Sequence, residues 1–157
     1  MRYGNSCHIV IDSNYPCLFP GMEELDWLDT VLTTEPCASA TWRFAYFHHP
    51  PYCEGWEGYD GEGAVRTMLV PWAEAGGVDL IFNGHTHDYE RGEQNGVTWI
   101  ITGGGGGALD PWARDIPYLT QYVRSYHFVQ VDVDGVTATV QAIDIDGNVI
   151  DEFALTR

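Results

Sequence analysis

Lysine is missing from this chain altogether. All seven basic residues among its 157 are arginine, set against 23 Asp and Glu, for a formal net charge of −16. A protein that binds nucleic acid needs cations to displace counterions, so a phosphate backbone is not an expected partner. The same shortage argues against a polybasic membrane contact, and no run of about 18 apolar residues exists to form a transmembrane helix. No membrane partner is expected. None of Cys7, Cys17, Cys37 and Cys53 forms a Cys-x-x-Cys pair, which sets aside a zinc ribbon or a thioredoxin-type site. Four idle thiols are the main expectation and two disulfides the lesser one. Met1 to Asn5 runs straight into strand-like sequence, with no secretory leader pattern.

What is present is the composition of a folded domain. Hydrophobic residues make up 45% and charged residues 19%, which excludes a disordered tail. Apolar alternation and runs predict strands over residues 7–12, 42–47, 78–82 and 97–102. Helices are expected over 22–32, where Leu25, Leu28 and Leu32 share a face, and over 62–75, with Pro71 as a kink. Residues 48–61 and 83–96 read as loops, and 108–122 as irregular with one helical turn. Strands at 126–133, 136–143 and 149–155, joined by Asp134-Gly135 and Asp146-Gly147-Asn148, read as an antiparallel meander. The expected class is one α/β unit.

Chemistry concentrates where two strands end. Asn83-Gly84-His85-Thr86-His87-Asp88-Tyr89-Glu90-Arg91 follows the strand 78–82. In extended backbone His85 and His87 point to one side, and Gly84 lets the chain turn. Phe47-His48-His49-Pro50-Pro51-Tyr52 follows another strand, its prolines stiffening the loop. Ligand sites in α/β proteins lie at the carboxyl ends of strands, and imidazoles there suit divalent metals. His8 and His127 fall within strands and are expected to be packed or capped. The run Gly103 to Gly107 lacks the Lys and the helix of a phosphate loop. It reads as backbone passing tightly under a neighbouring loop. The Asp-x-Asp-Gly stretches at 132–135 and 144–147 lack the further ligands of an EF-hand and read as hairpin turns.

Together these motifs resemble the calcineurin-like metallophosphoesterases, and most of all their purple acid phosphatase-like branch. The likeness extends from about residue 3 to 155 and includes Tyr3-Gly4-Asn5, Ile11-Asp12-Ser13-Asn14 and Glu24-Leu25-Asp26-Trp27-Leu28. It implies the C-terminal half of a four-layer α/β/β/α sandwich, so that residues 1–157 form a partial domain. It also implies phosphomonoester hydrolysis at a dinuclear centre of Fe, Zn or Mn, with a phosphate ester as substrate. By position, His48 and His85 resemble ligands of the second metal and His87 a ligand of the first. His49 is the catalytic candidate. Asn83, Gly84, Asp88, Tyr89 and Arg91 would support the metal loop.

The departures are specific. The family's Gly-Asp and Gly-Asn-His motifs, which carry the bridging carboxylate and further ligands, have no match here. Asn5 stands in Tyr-Gly-Asn instead, and residues 53–58 lack the branch's substrate histidines. Two expectations follow: an enzyme partnered by a missing N-terminal half, or a catalytically incomplete metal-binding or structural module. The acidity suits a secreted or extracellular protein. A metallo-β-lactamase is set aside because Asp88-Tyr89 breaks its His-x-His-x-Asp-His spacing. An amidohydrolase barrel needs eight βα units, for which the chain is too short.

Overall fold

The computed structural model describes residues 1–14 and 23–157. The expected loop beyond residue 14, the head of the first helix at Met22 and Cys17 lie outside the described residues. Cys7, Ile9 and Ile11 are buried at a spacing of two, the period of a strand with one face against a core. They belong to and follow β2 (Ser6–Val10), which pairs antiparallel with the short β1 (Arg2–Tyr3). The main sheet continues with β3 (Trp42–Tyr46), β4 (Leu80–Asn83), β5 (Tyr89–Gln94), β6 (Val97–Thr102) and β7 (Leu119–Val123), in the order β1-β2-β3-β4-β6-β5-β7. From β2 through β3 and β4 to β6 the pairing is parallel. Both histidine loops therefore emerge at the same sheet end.

A second sheet of β8 (His127–Asp134), β9 (Thr137–Asp144) and β10 (Val149–Thr156) is the expected meander. One face of the main sheet packs Ile9, Ala45, Ile81 and Trp99 against Leu28, Leu32, Val65, Leu69 and Ala73 of the helical layer. The other packs Phe44, Leu80 and Ile100 against Ala138, Val140 and Ala142 of the second sheet. The fold is thus mixed α/β with a three-stranded antiparallel end, and the helices lie on one side of the main sheet.

Several expectations change. Helix α1 spans Glu23–Val31. The segment expected to be a helix over 62–75 is helical from 63 to 76, with a π-helical turn, Val65–Leu69, running directly into α2 (Val70–Gly76). Pro71 falls in the first turn of α2, directly after the π-helical turn. Residues 89–94, expected to be loop, are β5, hydrogen-bonded to β6 on one side and β7 on the other. Leu119–Val123, within the stretch expected to be irregular, is β7. Cys7 and Cys37, expected to be idle, form a disulfide, while Cys53 is free and buried.

The disulfide spans 30 residues. Closing a loop of that length in the unfolded chain stabilises a domain by about 3.6 kcal/mol. Cys7→Ser is expected to lose that amount, read as a lowered urea midpoint that reductant no longer affects.

Candidate metal centre

The site is built from the loops after β3 and β4. Asn83, the last residue of β4, donates from Nδ2 to Phe47 O at 2.9 Å and to His49 O at 3.3 Å. Gly84 N donates to His48 O at 3.0 Å. These bonds tie the two loops together. The left-handed turn, however, falls on His85, with φ 75°, and not on Gly84. That conformation is uncommon for a non-glycine residue and breaks the alternation that would have aimed His85 and His87 the same way.

The turn brings His85 to the other loop. His85 Nδ1 lies 3.0 Å from His48 Nε2. His48, His49 and His85 each offer a nitrogen, all within 4.8 Å of one another. His49 is oriented by Ser13, whose Oγ lies 2.9 Å from Nδ1 and accepts from the His49 backbone N–H at 3.1 Å. Nitrogens about 2.0–2.1 Å from a tetrahedral zinc sit roughly 3.3 Å apart, close to the His48–His85 separation. Burial first, then the neighbouring histidines, lowers the pKa of both His48 and His85. Neutral imidazoles with free lone pairs are the form that ligates metal. The donors fit one ion. Among the described residues no carboxylate joins this group to bridge a second.

His87 stands apart from the trio. Its backbone N donates to Asp110 Oδ2 at 2.8 Å, and its Nδ1 donates to Ala108 O at 2.9 Å. A carbonyl only accepts, so Nδ1 carries the proton and Nε2 keeps the lone pair. His8 and His127 are packed and bonded as expected, to Tyr46 and to Thr102 and Ser125.

The support behind His87 is an acid layer. Asp88 and Glu90 are fully buried. Glu90 accepts from Glu54 N at 2.8 Å and from Gly55 N at 2.9 Å. Burial, and then the Asp88 charge, pushes the Glu90 pKa up to about 9, while burial raises Asp88 to about 6. Tyr89 OH and Arg91 Nε both donate to Asp151 Oδ2, at 2.7 and 2.6 Å, anchoring β5 to the second sheet. Tyr89 and Arg91 thus point to Asp151 of the second sheet, and Asp88 is buried. Glu90, Ser13 and Asp110 were missed in the sequence. Glu90 alone carried a signal, an acid inside the motif itself.

The glycine run does what its sequence suggested. A Cβ on Gly103 would lie 1.8 Å from Thr86 O, and one on Gly107 would lie 2.5 Å from the His87 ring.

A family model for calcineurin-like phosphoesterases matches residues 4–89. The chain belongs to that family. Within it, the resemblance is to the purple acid phosphatase-like branch. Purple acid phosphatase 7 of Arabidopsis thaliana is 31% identical over 123 residues, covering 75% of this chain and 36% of that protein. A purple acid phosphatase of Glycine max is 30% identical over 101 residues, covering 63% of this chain and 22% of that one. The chain therefore spans about a third or less of these relatives. The solved purple acid phosphatase PPD1 of yellow lupin superposes with a TM-score of 0.88 at 21% identity, over 100% of this chain and 32% of that chain. The likeness of that structure is one of fold.

Proposed function

We propose that residues 1–157 are part of a metal-dependent phosphomonoesterase domain whose complete form carries a dinuclear centre. The observation that carries this is the convergence of His48, His49 and His85 at one sheet end, inside a chain of phosphoesterase family. His48 and His85 would hold one ion, and His87, through its free Nε2, would be a ligand for the other. His49 would serve the reacting groups, held by Ser13. A bound metal would polarise the phosphoryl group and lower the pKa of water. That supplies the positive charge a lysine-free chain lacks. A Fe(3+)-Zn(2+) purple acid phosphatase of Arabidopsis thaliana, 27% identical over 100 residues, supports Fe and Zn among the candidates Fe, Zn and Mn. The substrate is a phosphate ester, and the remaining ligands would come from a missing N-terminal half. The Cys7–Cys37 disulfide supports an oxidising, secreted or extracellular setting. No helix among the described residues is long and apolar enough to cross a membrane.

One observation favours a second reading. The donor set is all imidazole, with no carboxylate to bridge two ions. A chain with one ion and no turnover would be a metal-binding module. Titration with zinc or manganese, followed by a chromogenic phosphate ester, separates the two. One bound ion is expected, and His85→Ala should weaken it by about tenfold or more. Turnover by the metal-loaded full-length protein supports the enzyme, binding without turnover there supports the module, and no binding rejects both.

A further inference from the structure

Beside the histidines lies a pair of rings that the proposed reaction does not use. The Trp56 ring sits 5.1 Å from the His85 ring, and the Tyr59 ring 4.8 Å from it. The two aromatic rings are 5.4 Å apart. Trp56 is 41% exposed. It also holds φ 69°, a conformation a bulky residue keeps only when its surroundings impose it.

The surroundings do so from several directions. Immediately before it, Glu54 N and Gly55 N are held by Glu90. Trp56 N donates to Pro111 O at 3.3 Å, and Arg114 Nη2 donates to Trp56 O at 3.3 Å. Arg114 Nη1 also donates to Tyr59 O. Ala113 N donates to Glu54 O at 2.8 Å. The strap has little freedom to fold its tryptophan into the core. An indole pinned in a half-exposed position beside convergent polar groups is the usual composition of a small-molecule site.

Resting on the phosphoesterase reading above, we infer that Trp56, with Tyr59 beside it, is the specificity-determining wall for phosphate monoesters whose leaving group is a planar ring. The phosphoryl group goes to the histidines, and the ring goes against the indole. Offset stacking or edge contact of rings with centroids 4.5–7 Å apart is worth more than area burial alone. An alkyl ester has a smaller, non-planar group and forgoes that contact.

The test is calorimetric titration of the zinc-loaded full-length protein with inorganic phosphate, methyl phosphate and phenyl phosphate. Wild type is expected to bind phenyl phosphate roughly tenfold tighter than methyl phosphate, the scale of one aromatic contact plus ring burial. Trp56→Ala should abolish that preference and Trp56→Phe should keep most of it. Trp56→Leu, which retains bulk without a plane and covers the case of an unfolded alanine variant, should also lose it. The preference is a ratio within each variant, so a general loss of binding does not imitate the effect. Equal affinities for the two esters in wild type, or a preference surviving in both Trp56→Ala and Trp56→Leu, would overturn the inference. Failure of wild type to bind inorganic phosphate would reject the phosphoesterase reading itself, and this wall with it.

Discussion

Gly103→Ala is expected to destabilise the chain by roughly 3 kcal/mol or more, an unusually large effect for one added methyl group. The new Cβ would lie 1.8 Å from Thr86 O and 2.8 Å from Thr86 C. Both are backbone atoms, so no rotamer change relieves the clash. Thr86 sits between His85 and His87, and Gly103 N donates to Asp88 O at 3.1 Å, fixing the crossing from the other side. Either the glycine strand or the histidine loop must move. Gly105 is the control: a Cβ there meets nothing within 4 Å, and Gly105→Ala should fall within about 0.5 kcal/mol of wild type. Urea unfolding of the two variants, each with and without zinc, measures both consequences. The Gly103 variant should lose stability and lose the extra stability conferred by zinc. Equal midpoints for the two variants would mean that the crossing is not tight.

That crossing was legible in the sequence, and it shows what kind of feature was. Five glycines after an apolar strand have few uses, and without a lysine a phosphate loop was not among them. The histidines were legible for a similar reason. Each lies just past a buried strand, and parallel pairing of β3 with β4 brings those strand ends together. What escaped was polar sequence whose partners are distant. Glu90 and Arg91 read as loop residues because nothing nearby satisfies them. Their partners are Glu54 and Gly55, about 36 positions earlier, and Asp151, 60 positions later. With those partners β5 is an interior strand despite its charges. Trp56 escaped because its stretch is rich in glycine and its left-handed backbone is imposed from outside, by Glu90, Pro111 and Arg114. The disulfide escaped because a spacing of 30 between Cys7 and Cys37 carries no geometric signal.

Glu90 joins these two missed features and makes the strongest prediction about pH. Removing its acceptor with Glu90→Ala would leave two buried N–H groups unpaired, at about 1–3 kcal/mol each, besides a cavity. A loss of roughly 4 kcal/mol is expected, with Trp56 released from His85. Glu90→Gln keeps one acceptor and removes the titrating proton beside Asp88, so its loss should be smaller. The two variants differ more usefully in titration. An unfolded glutamate releases its proton near pH 4.3, whereas burial and Asp88 push the folded value up to about 9. Between those values the folded chain holds a proton that the unfolded chain has lost, so stability falls as pH rises. Asp88, raised to about 6, has mostly titrated by neutral pH. The lowered histidines His8, His48, His85 and His127 act below about pH 6.5 and with the opposite slope. Cys53, pushed up by burial, begins to contribute only above about pH 8.5. The interval from about pH 7 to 8 therefore isolates the buried Asp88–Glu90 pair. Wild type should lose up to about 1.4 kcal/mol across it, and Glu90→Gln close to none. Denaturant unfolding at both ends of the interval measures the difference. A slope shared by wild type and Glu90→Gln would show that Glu90 is already ionised in the folded chain. If the slope is confined to wild type, proton loss from the pair that Glu90 completes is what lowers stability over this interval.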